Sequence, residues 1–479
     1  MYCEICLTDA PYALDRPFDY LCPPALAEKI RPGSLVRVPF GAANHTRLGV
    51  VLKVKDTTES ARTKPVQAVL DDRYSLDEEM LGLCLFLKEY TLCTLGEAVR
   101  TVLPPGAMTE IPNIRYRKRY ALARTAEEIT SLLAAKGRAG IRSEGQRRVL
   151  EYLLPIGEAD GDLLRALPAV TPAHLSALTE KGILRMDTEE EIRNPYAALA
   201  KERDTAEILL SDAQETAYRT AEKLLCEDAP RAALLYGITG SGKTQVIMRL
   251  IDRTLSLGKT VIMMVPEIAL TPQTVQIFCR RYGERVAVIH SSLSQGERLD
   301  AYRRIRTGAV DLVIGTRSAV FSPIPNLGMI VIDEEHEHTY KSESDPKYHA
   351  RDVAAYRAGK HHALMLLASA TPSVESFYKA KEGAYTLIPL RERYGGARLP
   401  TAVIVDMREE LRLGNTSPIS RRLLESLSST AEKKKQAILF LNRRGYNSQI
   451  SCKSCGDVIT CPRCSVSLTY HTGRGGGRM

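Results

Sequence analysis

Gly237-Ile238-Thr239-Gly240-Ser241-Gly242-Lys243-Thr244 is the stretch from which the rest of the chain can be read. It fits the phosphate-binding pattern G-x-x-x-x-G-K-[ST] at every fixed position. Residues 232–236, Ala-Ala-Leu-Leu-Tyr, lead in like a buried strand, and 245–251 follow with helical spacing. In that setting the glycines let backbone N–H groups turn inward around a phosphate, and the helix N-terminus adds a favourable dipole. Lys243 is then the group that neutralises the outer phosphates, and the Thr244 hydroxyl the one that holds Mg²⁺. Gly237, Thr239, Gly240, Ser241 and Gly242 form the cradle. A glycine-rich turn would satisfy the bare pattern, but not its position between strand and helix.

A second signal lies ninety positions downstream of Lys243, in Met329-Ile330-Val331-Ile332-Asp333-Glu334-Glu335-His336. An apolar strand ending in carboxylates puts them at the C-terminal edge of a sheet, where the phosphate loop also ends. Asp333 suits Mg²⁺ held through its water shell, and Glu334 suits orienting and deprotonating an attacking water. A charged loop after a strand reads the same way when alone. The phosphate loop upstream separates the two readings.

At 479 residues the chain has room for about three or four domains. With 44% hydrophobic and 26% charged residues it has an ordinary globular composition. No apolar run reaches the ~20 residues of a membrane helix and no N-terminal signal pattern occurs, so the expectation is a cytoplasmic protein without a membrane partner. Eleven cysteines are too few for a disulfide scaffold. The net charge of +9 is concentrated: from 421 to 479 there are eleven Lys and Arg against three Asp and Glu, or +8. That end suits a polyanion, though a solvated surface would carry the same charge.

Residues 1–110 read as a β-rich domain punctuated by Pro and Gly, with a helix over 75–90. Residues 111–200 open on Arg115-Tyr116-Arg117-Lys118-Arg119-Tyr120 and continue in three short helices, the pattern of a helix-turn-helix or winged-helix module, which a small helical bundle without DNA contacts would share. From 201 to 395 strand and helix alternate, with strand candidates at 261–265, 286–289, 310–314, 329–332 and 363–367. That alternation predicts an α/β lobe, a parallel sheet with helices on both faces. A second alternation opens at 396–451, with strands at 402–406 and 437–441 and a helix over 418–428. A cysteine cluster and a glycine-rich tail occupy 452–479.

Asp-Glu-Glu-His after an apolar strand resembles the second motif of superfamily 2 helicases. Pro266-Glu267-Ile268-Ala269-Leu270-Thr271-Pro272-Gln273, His290-Ser291-Ser292-Leu293-Ser294-Gln295-Gly296-Glu297-Arg298, Gly315-Thr316-Arg317-Ser318-Ala319-Val320-Phe321 and Ser369-Ala370-Thr371-Pro372-Ser373 are similar to other motifs of that set. With Phe440-Leu441-Asn442-Arg443-Arg444-Gly445-Tyr446 running into paired cysteines, the combination resembles the PriA family of replication-restart DNA helicases over essentially the whole chain. The resemblance implies a RecA-like P-loop helicase lobe and a partial second lobe, preceded by a β-rich DNA-binding domain and a winged-helix domain. It implies an ATP-dependent DNA helicase, using ATP and Mg²⁺, that recognises stalled or abandoned forks and initiates primosome assembly. Its partners would be forked DNA with single-stranded and 3′-end contacts, and primosome and single-strand-binding proteins.

The resemblance also assigns residues. Gln214, in Leu210-Ser211-Asp212-Ala213-Gln214, matches the glutamine that reads adenine. Arg317 lies in a DNA-facing motif. Tyr340 and Lys341, with Tyr348, fall in the family's aromatic-rich loop, which links DNA contact to ATP turnover; tyrosine faces can stack on bases there. Phe18, Asp19, Gly33 and Lys64 match the pocket that captures a DNA 3′ end; without the resemblance Phe18 reads as a core residue. The basic cluster at 115–119 would supply the sequence-independent phosphate attraction of a duplex-binding module.

Cys452-x₂-Cys455 and Cys461-x₂-Cys464 have the spacing of zinc knuckles, with only five residues between them. In the family each pair is completed by later pairs, which do not follow here, so weakened Zn²⁺ sites are expected. Cys3-x₂-Cys6 reads as structural. The family's last two motifs, with their arginines, do not appear either. A truncated second lobe and poor ATP hydrolysis by this chain are therefore expected. The alternative is a non-motor, fork-binding scaffold that recruits primosome proteins.

Overall fold

The computed structural model describes residues 1–60, 62–108, 115–135, 141–202, 204, 206–229, 231–393, 400–440, 457–464, 471–473 and 476–478. Residues 1–396 form one compact unit and 397–479 a second. Among the described residues no helix is long and apolar enough to cross a membrane.

The chain begins with six strands: β1 (Tyr2–Leu7), β2 (Phe18–Leu21), β3 (Leu35–Phe40), β4 (His45–Lys55), β5 (Lys64–Pro65) and β6 (Ala68–Val69). They form one sheet in the order β5-β2-β1-β4-β3-β6. Strand alternation decides what each side buries. Cys3, Ile5 and Leu7 of β1 join Tyr20, Val36, Val38 and Val51 in one core. Cys6, Leu35 and Val50 point the other way, into a core shared with the helices that follow. Cys3 and Cys6 are thus both buried on opposite faces, and the structural reading of that pair is the one their geometry supports. Helix α1 (Glu78–Thr91) starts on Asp77, whose carboxylate accepts the Met80 N–H at 2.8 Å. Helix α2 (Leu95–Val102) starts on a reciprocal Thr94–Glu97 capping box.

Next come β7 (Arg115–Leu122), α3 (Ala126–Ala134), α4 (Glu144–Leu153), β8 (Glu158–Asp160), α5 (Gly161–Arg165), α6 (Pro172–Glu180) and β9 (Leu184–Glu191). The strands form an antiparallel sheet, β8-β7-β9. The helices close a small core of Ile129, Val149, Leu150, Leu164, Leu175 and Leu178 against it. The basic cluster on β7 is exposed, but its arginines are paired with acids of the neighbouring strands. β9 runs opposite it with Arg115 beside Glu191 and Arg117 beside Glu189. Arg115 pairs with Glu191 at 2.9 Å, Arg119 with Glu158 at 3.2 Å, and Arg117 with Asp160. Much of the expected phosphate attraction is therefore spent on neighbouring carboxylates.

Helix α7 (Ala197–Lys201) and helix α8 (Asp212–Cys226) lead into the α/β lobe. Its elements are β10 (Arg231–Gly237), α9 (Lys243–Ser256), β11 (Thr260–Met264), α10 (Pro272–Tyr282), β12 (Val286–Ile289), α11 (Gln295–Arg306), β13 (Leu312–Gly315), β14 (Leu327–Asp333), α12 (Ala350–His361), β15 (Leu364–Ser369), α13 (Val374–Lys381) and β16 (Thr386–Leu390). All seven strands are parallel, in the order β12-β13-β11-β14-β15-β10-β16. Such a sheet must be covered on both faces, which explains its nearly continuous apolar strands. Leu235, Val261, Val331 and Leu366 pack with residues of α8, α9 and α10. Leu234, Ile262, Ile330 and Leu367 pack into the core that also holds α1 and α2. The β-rich part and the lobe therefore share one hydrophobic core. Edge strand β16 was not anticipated from sequence.

In the second unit α14 (Met407–Arg412) and α15 (Arg421–Glu432) form, α15 starting three residues later than expected. The strands expected at 402–406 and 437–441 do not form within the described residues. Ile404, Ile438 and Phe440 stand almost fully exposed. A parallel strand needs neighbours that bury both faces, and none lies beside these segments among the described residues.

Candidate nucleotide and nucleic-acid site

Because every strand of the lobe is parallel, β10 and β14 deliver the phosphate loop and the acidic motif to the same sheet edge. The loop between β10 and α9 takes a shape only glycine adopts easily: Gly240 has φ +80° and Gly242 φ +79°. A Cβ on Gly242 would lie 2.2 Å from Gln214 Nε2, and one on Gly237 2.6 Å from Ser241 Oγ. The Lys243 ammonium donates to the Gly237 carbonyl at 2.8 Å, folding the side chain back across the loop. The Ser241 hydroxyl is buried without a hydrogen-bond partner among the described residues. These are features a triphosphate group requires: a loop packed too tightly for side chains at Gly237 and Gly242, a lysine over it, and an unsatisfied hydroxyl. Thr244 lies on the first turn of α9, beside Lys243.

Gln214 is 1% exposed and both ends of its amide are in use. Nε2 donates to Ser241 O at 2.9 Å, and Oε1 accepts the Ser211 N–H at 2.9 Å. In this conformation it braces the phosphate loop from behind.

Asp333 ends β14 and is largely buried. Burial, reinforced by the neighbouring Glu334 charge, lifts its carboxyl to about 6, while Lys243 acts in the opposite sense. The ammonium and the carboxylate therefore feel each other across the site. Glu334 sits at φ +44°, a left-handed backbone conformation unusual for a residue with a side chain. Its N–H donates to Asp333 Oδ1 at 3.0 Å. His336 turns toward the next strand, with Nδ1 2.8 Å from Ser369 Oγ and Nε2 3.5 Å from Thr371 Oγ1. The acidic motif and the Ser-Ala-Thr segment are thus joined side chain to side chain.

Sequence reasoning passed over Glu335, which forms the densest part of this network. Its side chain is fully buried and accepts the Ser373 N–H at 2.6 Å and the Ser376 hydroxyl at 2.8 Å, with Arg351 Nη1 3.5 Å away. It caps α13 from outside and ties the acidic motif to α12. The only signal was a third carboxylate in the Asp-Glu-Glu run, with Ser373 and Ser376 three apart.

The aromatic-rich loop corrects one expectation. Tyr340 is 1% and Tyr348 4% exposed, so neither ring offers a free face to a base. The Tyr340 hydroxyl lies 2.6 Å from Asp333 O and 3.1 Å from Met264 O. Tyr348 packs edge-on against Phe321, centroids 4.9 Å apart. Arg317 donates to Thr339 O at 3.1 Å and Lys341 O at 2.5 Å, its guanidinium 5.7 Å from the Tyr348 ring centre. Arg317 and Lys341 line one open groove of about 680 Å³, together with His290, Glu267 and Pro105.

In the N-terminal sheet, Phe18 meets Phe40 edge-on at 5.2 Å, with Arg16 over its ring at 5.4 Å. Lys64 reaches Gly41 O at 2.6 Å, beside the same ring pair. Asp19, next along β2, accepts the Thr58 hydroxyl at 2.5 Å and Lys55 Nζ at 3.2 Å. The Thr58 bond, helped by Lys55 against the effect of burial, holds its carboxyl below the usual range. Gly33 sits at φ +86°, with its carbonyl accepting the Leu76 N–H at 2.9 Å.

Cys452 and Cys455 lie outside the described residues. Cys461 and Cys464 are described and at least partly accessible. Among the described residues no three His, Cys, Asp or Glu side chains gather as a metal site would require.

Residues 6–104 match the 3′ DNA-binding domain of PriA, and residues 212–379 match the DEAD/DEAH box helicase family. The replication restart protein PriA of Bacillus subtilis (strain 168) is 35% identical over 535 aligned positions, covering 98% of this chain and 66% of the relative. That of Treponema pallidum (strain Nichols) is 40% identical over 464, covering 96% and 57%. The chain belongs to the PriA family. It spans about two thirds or less of the length of these PriA relatives. Its helicase domain implies ATP and Mg²⁺ as ligands, and its match to a 3′ DNA-binding domain makes DNA a partner. Among solved structures, RecG bound to a three-way DNA junction aligns at 22% identity and TM-score 0.33, covering 51% of this chain and 34% of that one; the score is too low to carry weight.

Proposed function

We propose that this PriA-family chain works as an ATP-dependent DNA helicase that recognises stalled or abandoned replication forks and starts primosome assembly. The observation that carries this reading is that parallel strands β10 and β14, joined through β15, bring Lys243, Asp333 and Glu334 to one sheet edge. Lys243 would neutralise the outer phosphates of ATP, with Gly237, Thr239, Gly240, Ser241 and Gly242 around them. Thr244 and Asp333 would hold Mg²⁺, which supplies charge neutralisation at the transferring phosphoryl group. Glu334 would orient the attacking water and take its proton. Gln214 would read adenine from a position in which its amide already bonds Ser241 and Ser211.

Asp19 already accepts a hydroxyl, that of Thr58, which supports a role in binding the terminal hydroxyl of a DNA strand beside Phe18 and Lys64. The packing of α4, α5 and α6 on the β8-β7-β9 sheet supports a winged-helix reading of residues 111–200. Zinc held by Cys452, Cys455, Cys461 and Cys464 remains part of the proposal.

The test is ATP hydrolysis by this chain with and without forked DNA bearing a free 3′ end, alongside Lys243→Ala. DNA-stimulated turnover that the variant abolishes supports the motor. Fork binding without any turnover supports the second reading, a scaffold that recruits primosome proteins.

A further inference from the structure

The resemblance assigns Asp19 to the end of a DNA strand, yet the chain's own groups already fill its acceptor atoms. Oδ2 accepts the Thr58 hydroxyl at 2.5 Å, and Oδ1 faces Lys55 Nζ at 3.2 Å. The Asp19 side chain is only 14% exposed. Both oxygens are thus engaged, and little open surface remains through which a third partner could reach them. Lys64, the other charged residue assigned to that pocket, also bonds within the chain, to Gly41 O at 2.6 Å. An ammonium has three donors, so one carbonyl leaves Lys64 capacity for a phosphate. For a terminal hydroxyl to reach Asp19, one of the two present partners has to leave.

Those partners differ in how firmly they are held. Lys55 closes β4 opposite Tyr2 of β1, and its ammonium also meets Glu4 at 3.4 Å. Glu4 and Asp19 are register partners on β1 and β2. Withdrawing Lys55 would leave two carboxylates directly opposite each other, an unfavourable pair on a sheet face. Thr58 carries no charge and belongs to no strand, since β4 ends at Lys55 and β5 begins at Lys64. Among the described residues, 56–60 make no hydrogen bond from main chain to main chain. The other bond of the Thr58 hydroxyl comes from the Ser60 N–H at 3.1 Å, so it travels with the same segment. Thr58 is the partner that can leave.

A DNA strand ending in a 3′ hydroxyl presents the same group as Thr58. Exchanging one for the other keeps the hydrogen-bond count at Asp19 and costs chiefly the movement of a segment without strand partners. On the strength of the 3′-end reading of Asp19, we propose that Thr58 is a built-in competitor for the terminal hydroxyl. Its side chain fills the acceptor on Asp19 until a strand end displaces it, and so sets how tightly that end is held. Without DNA, the same contact is the strongest influence lowering the Asp19 carboxyl and keeps it ionised.

Binding of 5′-fluorescein-labelled oligo(dT) to the full chain tests this, with the strand ending either in a 3′ hydroxyl or in a 2′,3′-dideoxy residue. Thr58→Val keeps the shape and removes the hydroxyl. It should bind the hydroxyl-ended strand about tenfold tighter than wild type, the low end of what a hydrogen bond to a charged group is worth. Affinity for the dideoxy-ended strand should stay the same, a difference that a general effect on folding would not produce. Thr58→Ser restores the hydroxyl and should return the wild-type ratio. Thr58→Ala is measured alongside, and carries the test if melting by circular dichroism shows valine to disturb the fold. A wild-type preference for the hydroxyl end that these variants leave unchanged overturns the proposal. A preference that they weaken overturns it too, making Thr58 a group that orients Asp19. Equal affinity for the two strands in wild type and in Thr58→Val alike defeats the 3′-end reading itself.

Discussion

The Tyr340 hydroxyl lies 2.6 Å from the main-chain carbonyl of Asp333, so the aromatic-rich loop is fastened to the acidic motif through a backbone atom. That contact connects the loop that carries Lys341 with the strand end that carries the carboxylates. Tyr340→Phe keeps the buried ring and removes the bond, leaving the Asp333 carbonyl less well satisfied. A loss of about 1–3 kcal/mol in unfolding free energy is expected. Denaturant melts measure it, and a fluorescent ATP analogue reports whether Asp333 shifts: weakened Mg²⁺-dependent binding is expected, with Mg²⁺-free binding nearly unchanged.

Lys243 and Glu334 should separate binding from chemistry. Lys243→Ala removes the ammonium that spans the phosphate loop, and affinity for Mg-ATP is expected to fall about tenfold or more, equal to about 1.4 kcal/mol. Glu334→Gln keeps shape and removes the base. Binding is expected to persist while any hydrolysis falls by roughly 10²–10⁴-fold, the usual worth of general base catalysis. Equilibrium titration and single-turnover hydrolysis on the same two proteins check both halves. Loss of binding in Glu334→Gln would count against its assignment as the base.

Glu79 and Arg357 join the N-terminal helix α1 to the lobe helix α12. Arg357 is fully buried, with Nε 2.7 Å from Glu79 Oε1 and Nη1 donating to Val320 O and Ser322 O at 2.7 and 2.9 Å. Burial alone would raise the Glu79 carboxyl, but His361 and Arg357, the two basic groups facing it, outweigh burial and hold it at about 2 against an ordinary 4.5. A carboxylate depressed on folding stabilises the protein fully above its unfolded value and loses that contribution as pH falls through the folded one. About 3 kcal/mol is therefore expected to disappear between pH 4.5 and 2. Glu79→Gln should flatten this part of the acid-denaturation curve. Arg357→Met leaves the Glu79 carboxylate with His361 alone, and a loss of about 3 kcal/mol at neutral pH is expected.

The parts of the chain that could be read in advance are those where local pattern and tertiary need coincide. The lobe strands were legible because a parallel sheet buries both faces, so strand and apolar run are nearly the same thing. The phosphate loop was legible because Gly240 and Gly242 need positive φ. Tyr340 and Tyr348 were misread because a tyrosine in a polar loop looks like a stacking platform, and only the fold shows the rings turned inward. The acidic partners of the basic cluster on β7 were not legible because they lie on β8 and β9, about forty and seventy residues later, and register alone brings them together. Glu335 and Arg351 escaped notice for the same reason: a buried carboxylate capping a distant helix leaves no periodicity. The strand at 402–406 was expected from propensity, which yields nothing without neighbours to pair with.

Gly33 gives the last test, because two explanations of one glycine differ there. The resemblance assigns it to the 3′-end pocket, whereas its surroundings give a purely steric reason. It sits at φ +86°, its N–H donates to Val51 O at 2.7 Å, and a Cβ would fall 2.0 Å from the Leu76 carbonyl oxygen. That oxygen belongs to backbone just before α1, whose Asp77 cap and Glu79 ion pair leave it little room to move. Gly33→Ala therefore forces a left-handed alanine into occupied space, and a loss of more than about 2 kcal/mol is expected. The damage should spread toward α1, so protection of α1 amides in hydrogen exchange should fall with the melting temperature. Phe18→Ala serves as the contrast, since it keeps this backbone and removes the ring proposed to meet a strand end. If Gly33→Ala folds with wild-type stability yet loses preference for a free 3′ end, the steric account is wrong and the residue belongs to the pocket.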